Sequence, residues 1–288
     1  MKKVFLINAY SCADKLDRIR QLIQQAAGGE EYETVESTHA GHLTEAARSY
    51  HGCTLFSIGG DGTLLEVING AAESDNEIFV VPAGTGNDFC RMLTDEKNYE
   101  RILSDTGSYT AKTADCGKAG DTYFTNIASI GYDAEIVKNS LKYKNTPVLR
   151  KFSYILALIY TIFTYKCKRL RLTVDGTVYD QKVLLAAFAN GQYYGNGIHI
   201  APTAVIDDGF LDVYICDAVG KLKLITLLPK LLNGSHIKCR YMHIIKAKEI
   251  RIESDEPVLL NLDGELSETI GTTVSVIENG IKFYTKNR

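Results

Sequence analysis

Cys53-Thr54-Leu55-Phe56-Ser57-Ile58-Gly59-Gly60-Asp61-Gly62-Thr63-Leu64-Leu65-Glu66-Val67-Ile68-Asn69-Gly70 is the stretch whose reading decides the fold. It opens as an apolar, partly β-branched run, passes through three glycines, and then places apolar residues at helical spacing: Leu64, Val67, Ile68, Ala71. The pattern predicts a strand, a tight loop and a helix. Such a loop suits phosphate. Glycines let the backbone come within hydrogen-bonding distance of an anion, and the N–H groups and dipole of the following helix favour negative charge. Asp61 lies inside the loop, so a polyphosphate there would meet a carboxylate, which a metal cation or a hydrogen-bonding role would reconcile. An Asp-Gly pair alone reads as a plain turn. The full Gly59-Gly60-Asp61-Gly62-Thr63 between strand and helix favours a binding loop.

The first 90 residues repeat this alternation. Lys3–Ala9 is strand-like; Leu16, Ile19, Leu22, Ile23 and Ala26 mark one helical face, closed by Gly28-Gly29. Tyr32–Thr38 is a second strand, Leu43–Tyr50 a short helix, and Glu77–Val81 a strand after the central unit. The alternation specifies a parallel sheet flanked by helices, with its ligand site at the carboxyl ends of the strands. At one such end stands Val81-Pro82-Ala83-Gly84-Thr85-Gly86-Asn87-Asp88-Phe89-Cys90-Arg91. Two Thr-bearing glycine loops on one sheet edge are expected to face each other across a cleft and supply donors to one polyphosphate. The second loop has neither the Gly-Lys-[Ser/Thr] of a P-loop nor the Gly-x-Gly-x-x-Gly of dinucleotide folds.

From about residue 110 the pattern changes. Thr122–Gly131, Arg169–Val174, Val178–Ala189, Phe210–Cys216, Ile244–Ile252, Val258–Leu262 and Val274–Glu278 are strand-like, and Asp175-Gly176 is a two-residue hairpin signal. The expected fold is therefore α/β plus all-β: a parallel-sheet α/β domain, residues 1–125, and an antiparallel β-sandwich, residues 126–288, whose last strand is free to return to the first domain. Two helical segments interrupt the sandwich, Arg150–Lys168 and Leu222–Leu232, both carrying lysines. Each reads either as a lipid-facing surface or as a core-packed helix with a solvated basic face.

Net charge is only −3, so no attraction to nucleic acid is expected. The distribution is uneven: residues 1–130 hold 11 Lys and Arg against 19 Asp and Glu, and residues 131–288 hold 21 against 16. A basic second half suits a peripheral contact with an anionic surface such as a membrane. Seven cysteines without a Cys-x-x-Cys pair argue against a disulfide framework and a zinc site, and favour the cytoplasm. The N-terminus enters a strand-like run after two lysines, too soon for a signal peptide, and Tyr154–Tyr165 is too short to span a bilayer. There is no His-Glu-x-x-His and no Gly-x-Ser-x-Gly, so metalloprotease and hydrolase chemistry find no support. His199 is expected to be packed or hydrogen-bonded.

Five segments in order, Gly59–Gly70, Pro82–Arg91, Asn126–Ala134 (Asn-Ile-Ala-Ser-Ile-Gly-Tyr-Asp-Ala), Ile200–Val213 and Asp263-Gly264-Glu265, resemble the motifs of the diacylglycerol kinase catalytic-domain family, which includes bacterial lipid kinases and sphingosine kinases. The resemblance implies a nucleotide-binding α/β domain and a lipid-substrate sandwich, with ATP in the cleft between them. It assigns the nucleotide to Gly59, Gly60, Asp61, Gly62 and Thr63, to Thr85 and Asn87, and to Asn8, Ser11 and Thr38. The first loop departs from the family pattern, reading Asn8-Ala9-Tyr10-Ser11-Cys12 where Asn-Pro-x-Ser-Gly is usual; Leu65 and Gly195-Asn196-Gly197 are milder departures.

The same resemblance makes Glu265 the general base and gives Asp61 a catalytic part, with Asp61, Asp88 and Asp115 as candidates for holding Mg²⁺. A second, structural Mg²⁺ site falls on Val205, Asp208 and Phe210. The implied activity is ATP- and Mg²⁺-dependent phosphorylation of a hydroxyl of diacylglycerol or a related lipid at the membrane surface. A NAD kinase-like enzyme shares a Gly-Gly-Asp-Gly-Thr loop and is the nearest enzymatic alternative; a silent nucleotide- or lipid-binding protein is the other. Which lipid is used, and whether the chain forms a homodimer, stay open.

Overall fold

Residues 53–59 are buried along their whole length, as a central parallel strand covered on both faces must be. The computed structural model describes residues 1–144, 153–195, 197–232 and 234–286. Its first part is β1 (Lys2–Ile7), α1 (Leu16–Ala27), β2 (Tyr32–Glu36), α2 (His42–Arg48), β3 (Cys53–Gly59), α3 (Asp61–Ala71) and β4 (Glu77–Pro82). These strands are parallel in the order β4-β3-β1-β2. Alternation of side chains divides the core. Phe5, Phe56 and Phe79 stack at centroid distances of 4.4 and 4.8 Å on the face covered by α1, whereas Val4, Leu6 and Leu55 meet α2 and α3 on the other. Gly28, left-handed at φ 64°, ends α1 where the glycine pair predicted.

The chain continues through α4 (Cys90–Leu93), α5 (Tyr99–Ser104), β5 (Thr110–Ala119), β6 (Thr122–Phe124), β7 (Ile127–Gly131), α6 (Tyr132–Lys144), α7 (Ser153–Thr164), β8 (Lys168–Val174), β9 (Thr177–Ala189), β10 (Tyr193–Tyr194) and β11 (Ile198–His199). It ends with β12 (Leu211–Asp217), α8 (Lys221–Leu232), β13 (Met242–Ala247), β14 (Glu249–Leu262) and β15 (Glu265–Thr285). The later strands form an antiparallel sandwich-like unit, β13-β12-β9-β7-β14-β15 with β5, β6 and β8 at its margins. Near its end β15 runs parallel to β4, Lys282 and Phe283 facing Glu77 and Ile78, so one ladder of hydrogen bonds joins both parts. Phe283 is fully buried there, its ring 5.0 Å from that of Phe89.

Several elements differ from expectation for identifiable reasons. The run Thr122–Gly131 breaks into β6 and β7 because the N–H groups of Thr125, Asn126 and Ile127 turn to the carboxylate of Asp263, at 2.7, 3.0 and 2.8 Å. The run Ile244–Ile252 breaks at Lys248, whose N–H, with that of Glu249, donates to Asp175. The expected strands 258–262 and 274–278 are portions of the longer β14 and β15. Helices α5 and α6 and strand β5 have no counterpart in the sequence reading. The helical segment 150–168 is α7, while residues 150–152 and Asn196 lie outside the described residues. All seven cysteines are free thiols. Among the described residues no helix is long and apolar enough to cross a membrane.

Candidate active site

Between β3 and α3, Gly60 is extended at φ −109° and ψ −166°. The second glycine loop lies directly on the first. The N–H groups of Ala83 and Gly84 donate to Gly59 O at 2.9 and 2.8 Å, and that of Asp61 donates to Gly86 O at 2.9 Å. A Cβ on Gly60 would stand 2.7 Å from Gly86 O, and one on Gly84 2.6 Å from the Gly60 backbone. Glycine is therefore required here by backbone packing. The loops do not face each other across a cleft, as the sequence suggested; they form one packed ledge. Thr63 is buried beneath it beside Gly59, Gly62 is exposed with open space around it, Thr85 is exposed, and Asn87 Nδ2 donates to Gly84 O at 2.9 Å.

The remaining nucleotide candidates lie on the same sheet edge. After β1, Asn8 Oδ1 accepts from Ser11 N–H at 2.9 Å and Asn8 O from Cys12 N–H at 3.1 Å, a compact turn built without proline or glycine. Thr38 follows β2, its N–H donating to His42 Nδ1 at 3.2 Å. Lys15, which the sequence reading passed over, sends Nζ to Ala83 O at 2.7 Å and brings a cation to this edge. The only signal for it was a lysine in the loop after the first strand.

A cavity of about 270 Å³ opens beside the ledge, where Asp61, Gly86 and Asp88 meet Thr125–Ile127, α6 and the β14–β15 turn with Asp263. Asp61 accepts from the N–H groups of Asp88 and Phe89 at 3.0 and 3.3 Å. Burial, reinforced by the charges of Asp88 and Asp263, nevertheless raises its carboxyl to about 6. Burial also pushes Asp263 upward, against the three N–H donors and the Thr125 hydroxyl that hold its carboxylate. Asp88 is buried, with Arg91 Nε 3.4 Å away. The site thus gathers three carboxylates against a surface of backbone.

Asp263-Gly264 is a two-residue hairpin, with Leu262 opposite Glu265 and positive φ at both turn residues, and so is Asp175-Gly176. What separates them is the target of the carboxylate: Asp175 holds a surface strand end, and Asp263 a cavity wall. Glu265, the expected base, is the exposed first residue of β15 and stands outside the cavity lining. Asp115 is not in the cavity either. It accepts from Gly209 and Asn279 N–H at 2.7 and 2.8 Å and holds the loop before β12 to β15. His199 stacks on Tyr193 at 4.6 Å and hydrogen-bonds Gln192.

Around the second metal candidate, Val205 is exposed, and Asp208 accepts from Phe210 N–H at 3.1 Å and from the Lys246 ammonium, which also lies 3.1 Å from Asp212. In this structure the Lys246 ammonium supplies the positive charge beside Asp208. Among the described residues no three His, Cys, Asp or Glu side chains come together closely enough to hold a metal by themselves. In the cavity, Asp61, Asp88 and Asp263 offer the hard oxygens Mg²⁺ prefers, and phosphate oxygens and water would have to complete the shell.

The sequence pattern of the diacylglycerol kinase catalytic domain matches residues 2–119, and that of the YegS C-terminal NAD kinase beta sandwich-like domain matches residues 126–284. The chain belongs to the diacylglycerol kinase family. Family relatives include a diacylglycerol kinase of Staphylococcus saprophyticus, 30% identical over 85% of this chain and 81% of its own. A diacylglycerol kinase of Bacillus subtilis is 29% identical over 87% of this chain and 84% of its own. The crystal structure of a diacylglycerol kinase from Bacillus anthracis superposes with a TM-score of 0.73 over 98% of this chain and 96% of that one, at 22% identity. The cavity is lined by residues of both matched ranges, Asp61, Gly86 and Asp88 in the first and Asn126, Asp263 and Gly264 in the second.

Proposed function

We propose that the chain is an ATP- and Mg²⁺-dependent lipid kinase of the cytoplasmic membrane face, transferring the γ-phosphoryl of ATP to a hydroxyl of diacylglycerol or a related lipid. The observation that carries this reading is the meeting of the glycine ledge and the Asp263 hairpin on one cavity. The ledge offers backbone and the Lys15 cation to phosphates at the carboxyl ends of β1, β3 and β4. Asp61 and Asp88 would hold the Mg²⁺ that arrives with ATP, which neutralises charge developing on the phosphates. In the transfer the lipid oxygen forms a bond to the γ-phosphorus, the bond to the β,γ-bridging oxygen breaks, and ADP leaves. Glu265, exposed and next in sequence to Gly264 of the cavity lining, would accept the hydroxyl proton.

Transfer of radiolabel from ATP into a panel of lipids in mixed micelles tests this, with NAD as an alternative acceptor. Label in one lipid class is expected, and Glu265→Gln should lower turnover by about 10²-fold or more with nucleotide binding retained. Label in NAD alone would move the reading to a NAD kinase-like enzyme. Nucleotide binding without transfer to any acceptor would leave a silent binding protein.

A further inference from the structure

Helix α6 has two working faces. Val137 and Ser140 line the candidate active site, whereas Lys138, Asn139 and Lys142 line a second cavity, of about 330 Å³, closed on its other side by α7 and the start of β8. Among the described residues, Lys166 and Lys168 complete a set of four lysines in the lining, where Glu135 is the acidic member. The floor is built and buried: Asn139 Nδ2 donates to Thr161 Oγ1 at 3.0 Å, and Asn139 Oδ1 accepts from Lys142 Nζ at 2.8 Å. Lys142 also lies over the Tyr160 ring at 5.1 Å, and Lys168 is 2.8 Å from Glu256 at the margin. Beside this cavity the helices expose large apolar side chains to solvent. Leu141 is 49% exposed, Ile159 48%, Phe163 60% and Leu222 83%. Helices α7 and α8 are tied together by Lys221, whose Nζ donates to Phe163 O, so the apolar residues lie on joined elements.

We propose that the face formed by α6, α7 and α8 docks on a bilayer and that the four-lysine cavity takes the phosphate of an anionic phospholipid headgroup. The chemistry is complementary: lysines beside a phosphate, with apolar side chains dipping among the acyl chains next to it. The cavity is lined too heavily with ammonium groups for an apolar ligand, and the apolar flank has no use for a free ion. With α6 between them, the headgroup and the reacting hydroxyl would stand about one helix diameter apart, roughly 10 Å. Docking would therefore present the active site to lipid rather than merely tether the chain. The proposal rests on the lipid-kinase reading only in supposing a bilayer as the working surface.

The test is co-sedimentation with phosphatidylcholine vesicles, with and without phosphatidylglycerol, in the absence of ATP and diacylglycerol. The full chain is expected to pellet with the anionic vesicles alone. Lys138→Gln with Lys142→Gln should weaken binding by at least about tenfold, and the arginine pair at the same positions should keep it. Should the glutamine pair lower the melting temperature, Lys166→Gln at an exposed position provides the same reading. Binding to both vesicle types alike, unchanged binding by the glutamine variants, or an equal loss on Lys97→Gln in the other half would overturn the proposal. Protection of the lysines by inorganic phosphate without vesicle binding would also overturn it. Transfer activity of the unaltered chain in neutral micelles is read separately, so failure of docking and failure of the kinase reading are distinct results.

Discussion

Asp61 keeps its proton up to about pH 6 because it is buried next to Asp88 and Asp263. In the unfolded chain the same carboxyl ionises near about 3.9. The fold thus favours the protonated form. The stabilisation is fully present below the unfolded value and is lost as pH rises through 6, a difference on the order of 3 kcal/mol between acid and neutral pH. Asp61→Asn removes the titration, so urea unfolding at about pH 4 and pH 7 should give a smaller difference for the variant than for the original chain. Equal differences would refute the assignment, and under the proposed kinase reading turnover should fall in the variant because the carboxylate proposed to hold Mg²⁺ is gone. At this scale the sequence told Asp61 from an ordinary turn residue, because its glycine context is local. It could not tell Asp263 from Asp175. Both stand in Asp-Gly hairpins, and what distinguishes Asp263 is a hydrogen bond to a residue 136 positions away. Lys15 escaped notice for the same reason, since its partner Ala83 belongs to another loop.

The ledge explains why elements were legible where their contacts were not. Strand, loop and helix follow from periodicity and glycine, which are local properties of residues 53–70. That the two loops touch follows from hydrogen bonds between β3 and β4, which no single segment carries. Gly60→Ala places a methyl 2.7 Å from Gly86 O, whereas Gly62→Ala meets nothing within 4 Å. The first variant should lose about 1–3 kcal/mol of stability through forced separation of the loops, and the second should fold as the original does. Isothermal titration with ATP then separates packing from ligand approach. Loss of binding in a fully folded Gly62→Ala variant would mean that phosphate comes close at Gly62, and unchanged binding would remove Gly62 from the site. The long C-terminal strands were read only as fragments because their middles are polar: β15 carries Ser267, Glu268, Thr269, Gly271, Thr272 and Thr273 where it lies exposed at one margin.

Across the whole molecule, β15 is the common member. It pairs with β14 from Glu265 to Ser275, with β5 from Val274 to Thr285, and with β4 at Lys282 and Phe283. Heating should consequently give one cooperative transition by calorimetry, with near-equal calorimetric and van't Hoff enthalpies. Two separable transitions would show that the parallel and antiparallel parts fold independently. The two-part order was readable from the change in alternation near residue 110, but the continuity between the parts was not, because it rests on a pairing between Glu77 and Lys282. That continuity governs how the cavity can work. A strand hydrogen-bonded to both parts opposes their swinging open and shut, because such a motion would strain its two pairs with β4. Ligand exchange through side chains and short loops at the rim is then expected on the nanosecond-to-microsecond range of loop motion, and microsecond-to-millisecond relaxation dispersion spread over both parts would show hinged opening instead.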